Sequence, residues 1–216
     1  MAGIFDLLNS DLGKTIISGV SGSTGTDQGK TGSLLNMALP VLMKAMERNA
    51  STPEGAEGLL GAIKGKHNGS ILDNLGDLFG GGVNEEVTND GGKILGHVLG
   101  SNQQNVEKVL GEKSGLDIGS VGNILKVAAP ILMGVLGKSA TQNNVTTSSG
   151  IGDLLGGLLG GASSQGAVTK EQSFLEKMLD SDGDGSIIDD VAGMVLGGSS
   201  GKSGGLGGLL GGLFGK

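Results

Sequence analysis

Two segments ninety positions apart constrain this chain more than any other feature. LLNMALPVLMKAM (34–46) aligns with ILKVAAPILMGVL (124–136), and each carries a proline, Pro40 or Pro130, among apolar residues at helical spacing. A second pair, NGSILDNLGDLFGGG (68–82) and DGSIIDDVAGMVLGG (184–198), aligns at a spacing of 116. Leu59 and Ile63 match Leu175 and Leu179 at that same spacing. The 26-residue difference falls between the pairs, where SSGIGDLLGGLLGGASSQGAV (148–168) supplies extra sequence. The pattern predicts a duplicated helical unit, with copy one over 31–82, copy two over 120–199 and a flexible insertion at about 139–168.

The rest of the chain agrees with an all-α helical bundle. No sustained period-2 alternation suggests a sheet. Residues 32–47 and 120–137 read as helices bent at their prolines, because a mid-helix proline removes a hydrogen bond and crowds the preceding turn. Thr52 followed by Pro53 is a helix start. Thr169-x-x-Gln172 and Ser101-x-x-Gln104 read as capping boxes. Residues 1–30 read as an N-terminal helix followed by a Gly/Ser/Thr linker, and 200–216 as a Gly/Leu-rich tail. Glycine fills 46 of 216 positions, roughly threefold the usual share of about 7%. With four Phe and no Tyr or Trp, the core must be aliphatic.

Composition also narrows the partners. A net charge of −7 with one arginine, Arg48, and no aromatic platform for bases disfavours nucleic acid. Cysteine is absent, which removes disulfides and thiolate metal sites. MAGIFDLLNSDLGK lacks the basic start of a secretory signal, and no run approaches 18 uninterrupted apolar residues. The expected setting is the cytoplasm.

Two stripes stand out. Ile151, Leu154, Leu155, Leu158, Leu159 and Leu206, Leu209, Leu210, Leu213, Phe214 both recur at i, i+3, i+4, i+7, i+8. Glycines fill most of the opposite faces, at a cost of about 1 kcal/mol each relative to alanine, so such helices need a surface to lie against. One reading has them pack loosely on their own domain. The other has them bind a partner helix or a second copy, giving a homo-oligomer. Only Lys202 and Lys216 flank the tail, so a lipid surface is disfavoured.

Read in order, ALPVLM, RNASTPEGAEGLL, GSILDNLGDLFGGG, DGGKILGHVLG, LLGGLLGG and DGDGSIIDDVAGM resemble the bacterial YidB-like family over about residues 30–200. The resemblance implies a helical domain whose function is not established, and it brings no catalytic residues.

DSDGDGSIIDD (180–190) is the one candidate ligand site. Asp180, Asp182, Asp184, Gly185 and Ser186 occupy positions 1, 3, 5, 6 and 7 of a calcium loop. Position 12, normally a bidentate Glu, is Val191, while Asp189 and Asp190 stand at 10 and 11. The alternative is a solvated acidic turn in which Ser186 caps a helix, as Ser70 would in copy one. GTDQGKT (25–31) is one residue short of a phosphate loop and reads as linker. His67 and His97 have no ligand spacing and read as surface or helix-end residues, and no G-x-S-x-G elbow occurs. The functional expectation is a non-enzymatic interaction or scaffold protein. A calcium-responsive module is the alternative, and an enzyme with an unrecognised site a distant third.

Overall fold

The computed structural model describes residues 4–163, and among them every regular element is helical. Helices α1 (Ile4–Asn9), α2 (Asp11–Thr24), α3 (Gln28–Asn49) and α4 (Pro53–Lys64) lead into the short α5 (Ser70–Asp73) and α6 (Leu75–Gly80). Then follow α7 (Glu85–Leu99), a 3-10 turn (Gly100–Asn102), α8 (Gln103–Ser114), α9 (Ile118–Gln142) and α10 (Ser148–Ser163).

Side-chain caps set where several of these helices begin. Ser10, Asp27, Thr52, Asn84 and Asp117 each accept a hydrogen bond from a backbone N–H in the first turn of the helix that follows. Such a bond satisfies a donor the helix leaves unpaired and stabilises by about 1 kcal/mol. Pro53 sits at the first helical position after Thr52, as the sequence predicts.

The centre of the bundle is α9. It buries residues on all sides, among them Ile124, Leu125, Ala129, Leu132 and Leu136, as expected of a helix apolar all round. Its longest neighbour contact is with α7, and α2, α4, α5 and α8 also lie against it. α9 is long and apolar enough to cross a membrane, with mean hydropathy 1.6, yet 67% of its most apolar stretch is buried inside the fold.

Pro40 and Pro130 lie inside α3 and α9, which continue through them. The two helices are locally alike beyond the aligned segments. Gly25 and Gly115 close the preceding helices with φ of 67° and 69°. Asp27 and Asp117 then cap α3 and α9 through the amides of Lys30 and Ser120. Leu34, Leu35, Ala38, Leu42 and Met43 are buried, and so are Ile124, Leu125, Ala128, Leu132 and Met133.

Several expectations need correction. Residues 25–31, read as linker, form an ordered turn of three residues followed by the first turn of α3. The hydroxyls of Thr24, Thr26 and Thr31 lie 2.8 and 2.7 Å apart in a chain, and Thr31 is fully buried. Ser101 does not open α8; it lies in the 3-10 turn, and Asn102 takes the cap position without a side-chain bond. Ser70 does not cap α5 either. Gly69 holds that position, and Asn68 accepts from the Ser70 amide at 3.1 Å. Within the segment read as a flexible insertion, residues 148–163 form α10, and Ile151, Leu154, Leu155 and Leu158 are buried. The Thr169–Gln172 box, the remainder of the expected second copy and the 200–216 tail lie outside the described residues.

Candidate functional site

Asp180, Asp182, Asp184, Ser186, Asp189 and Asp190 also lie outside the described residues, but the residues that align with them 116 positions earlier do not. At that spacing Lys64, Lys66, Asn68, Gly69 and Asp73 align in sequence with Asp180, Asp182, Asp184, Gly185 and Asp189. These residues form the turn from α4 into α5, which is laid across α7 and α9.

Glycines allow that close approach. A Cβ at Gly137 would run into the His67 carbonyl, and one at Gly134 would meet the Ile71 side chain. Gly69 has φ of 103°, a left-handed conformation that L side chains rarely adopt, and it packs on Lys138 and Gly134. Around the turn the lysine ammonium groups find acceptors. Lys66 donates to Asp90 of α7 at 2.9 Å, Lys138 donates to Asp73 at 3.3 Å, and Lys64 donates to the Thr146 carbonyl at 3.1 Å.

His67 is the residue that sequence reading misplaced. It is 8% exposed, with Nε2 3.6 Å from the second oxygen of Asp90. Burial holds its pKa below the ordinary 6.5; Asp90 offsets part of this, and Lys66 lowers it further. Neutral histidine is therefore favoured in the fold relative to the unfolded chain. The stability this gives is complete above 6.5 and is lost as pH falls through the folded value. Melting temperature is accordingly expected to drop as pH is lowered from 6.5, and His67→Gln is expected to flatten that limb of the profile. An unchanged profile in the variant would show that other groups control it. His97, by contrast, is exposed in the last turn of α7, as expected, and its carbonyl accepts from Asn49 at 3.0 Å.

The second feature is the Gly/Leu helix. α10 lies against α3 and α4, with a smaller contact to α1. Ile151, Leu154 and Leu155 are no more than 3% exposed. The stripe is therefore part of the main core, which also contains Leu34, Leu42 and Met46 of α3. Gly152, on the other face, has open space where a Cβ would stand.

The remaining interior polar groups make structural bonds. Glu107 of α8, 8% exposed, accepts from Gln103 at 2.8 Å beside Gly122 of α9. Ser114 donates to the Leu110 carbonyl at 2.7 Å. Among the described residues, no three His, Cys, Asp or Glu side chains are grouped to hold a metal ion.

No curated protein and no solved structure matches the chain. A family model does, over residues 6–139 and again over 139–216, and the YidB-like resemblance is consistent with it. The chain belongs to that family, a bacterial protein family of unknown function designated DUF937.

Proposed function

We propose that this chain is a non-enzymatic cytoplasmic scaffold protein that binds helical protein surfaces, a second copy of itself among them, through the Gly/Leu stripe of its tail. The observation that supports the proposal is that a stripe of this spacing, Ile151, Leu154, Leu155 and Leu158 of α10, seats on helices, here those of its own bundle. A helix of this composition loses about 1 kcal/mol at each interior glycine relative to alanine, so burial of its leucines must supply the stability. The tail carries the same spacing at Leu206, Leu209, Leu210, Leu213 and Phe214. Glycine on such a helix lets a partner backbone approach closely. Charging the tail stripe with Leu210→Asp is therefore expected to reduce self-association, read as mass by light scattering, while the melting temperature holds. Unchanged mass would count against the proposal.

A calcium-responsive module is the second reading, and the copy-one turn favours it. Gly69, the counterpart of Gly185, has the positive φ that suits the sharp bend of a calcium loop. In copy one the ammonium groups of Lys64 and Lys66 occupy places that copy two gives to Asp180 and Asp182. Lys66 neutralises Asp90; three acids in place of Lys64, Lys66 and Asn68 call for a cation from outside. Oxygen-only ligands and two glycines suit calcium better than magnesium, with an affinity around 10⁻⁴–10⁻³ M because no bidentate Glu closes the shell. Millimolar-range calcium is expected to raise the melting temperature of the wild type but not of Asp182→Asn/Asp184→Asn at fixed ionic strength. Equal shifts, or none, would leave an acidic cap.

A further inference from the structure

We infer that the described bundle is a fused dimer. Residues 4–63 and 94–158 are two copies of one unit, packed face to face about an internal two-fold axis, so the surface each half buries is one that fits a copy of itself. This concerns the bundle alone and does not rest on the tail. The equivalence reaches well beyond the proline segments. At the spacing of 90, Ile4 matches Ile94, Val20 matches Leu110 and Thr31 matches Val121, and all six are buried. Contacts repeat along with residues. A Cβ on Gly32 would meet the Ile17 side chain at 3.6 Å, and one on its counterpart Gly122 would meet Glu107, the counterpart of Ile17, at 3.5 Å.

After α3 and α9 the spacing becomes 95, because α9 has 25 residues against the 22 of α3 and the turn after it is also longer. The next helix then starts in the same way in both halves. Thr52 accepts from the Gly55 amide at 3.1 Å, and Thr147 from the Gly150 amide at 3.4 Å. Ala56 and Ile63 of α4 are buried, as are their counterparts Ile151 and Leu158 of α10. α10 is thus the second α4, and its glycine-rich sequence meets a surface that the duplication supplies.

Packing between the halves is reciprocal. α2 lies against α9 and α8 against α3, while α4 lies against α9 and α10 against α3. Two further contacts join a helix to its own counterpart, α3 to α9 and α4 to α10. Units stacked head to tail would pair one face with a different face; a face that pairs with its own copy marks a two-fold. The symmetry is broken at α7, which is longer than α1 and meets α3, and at α5 and α6, which connect the halves. Each half is about 60 residues, a size at which one unit alone buries little surface and is marginally stable. The halves accordingly share one core, in which Leu34 and Leu42 of α3 join Leu125 and Leu132 of α9 and Leu155 of α10.

The test uses the full chain with segments 53–63 and 148–158 exchanged. The exchange conserves length, composition and the total volume packed across the axis, which a core tolerates when the positions are equivalent. A cooperative melting transition and the wild-type mass by light scattering are expected. The same exchange with each segment shifted by one residue turns its leucines by about 100° around the helix, and is expected to abolish the transition. An in-register chain that melts no better than the shifted one overturns the inference. A second variant of the full chain carries a protease site between Gly81 and Gly82, which are exposed after α6. After cleavage the two fragments are expected to run together at the wild-type mass with helical content retained. Fragments that separate as folded monomers overturn the inference, because each half would then hold a complete core of its own.

Discussion

Gly91→Val is expected to unfold the protein, and Gly91→Ala to cost about 2–3 kcal/mol of stability. Gly91 is buried where α7 crosses α9, and a Cβ at that point would collide with the carbonyl of Lys126. The obstacle is backbone, so it cannot rotate away as a long side chain would. Relief requires α7 to move off α9, which separates Ile94, Leu95 and Leu99 from the helix at the centre of the core. A gain of about 1 kcal/mol in helix propensity on replacing glycine does not offset that loss. Gly92, one residue on, has open space around it. Gly92→Ala is therefore expected to raise stability by up to about 1 kcal/mol. Opposite shifts in chemical denaturation midpoints at adjacent glycines would confirm the crossing, and a stabilised Gly91→Ala would refute it.

Leu155→Asp is the second large effect. Leu155 is 1% exposed beneath α10. An aspartate there would forfeit the burial of a leucine, worth about 1.5–3 kcal/mol, and place a carboxylate among apolar side chains. Breaking a buried environment with an unpaired charge costs a further 3–5 kcal/mol or so. Against a typical total of about 5–15 kcal/mol, most of the folded population is lost. Loss of the far-ultraviolet helical signal at room temperature is the expected reading; a stable variant would show that α10 is peripheral.

Helices α3, α4 and α9 were legible because periodicity and caps are local, whereas α7 was not read as a helix at all. Thr52 with Pro53, and the apolar positions around Pro40 and Pro130, need no tertiary context. What escaped was set by contacts between distant segments. Asp27 and Asp117 share the ninety-residue spacing, so the start of α3 was written in the repeat, but the threonine-rich turn before it resembled a linker in composition. Thr31 is buried there only because α2, α3 and the turn close on its hydroxyl partners. His67 and Asp90 belong to no motif; Gly137 brings the α4–α5 turn down onto α9, and α7 then presents the acid. The glycines were equally opaque. Gly91 and Gly92 are neighbours with opposite surroundings, a distinction that depends on which face meets α9.

The two Gly/Leu stripes are nearly identical in pattern and offset by 55 residues from Leu155 to Leu210. Leu155→Asp and Leu210→Asp place one substitution at equivalent positions of each, so thermal melting and light-scattering mass measured together on the two variants separate core from docking surface. Leu155→Asp is expected to abolish the melting transition, while Leu210→Asp keeps the wild-type transition and loses self-association. A Leu210→Asp chain that melts as low as Leu155→Asp, or keeps the wild-type mass, would contradict the scaffold reading.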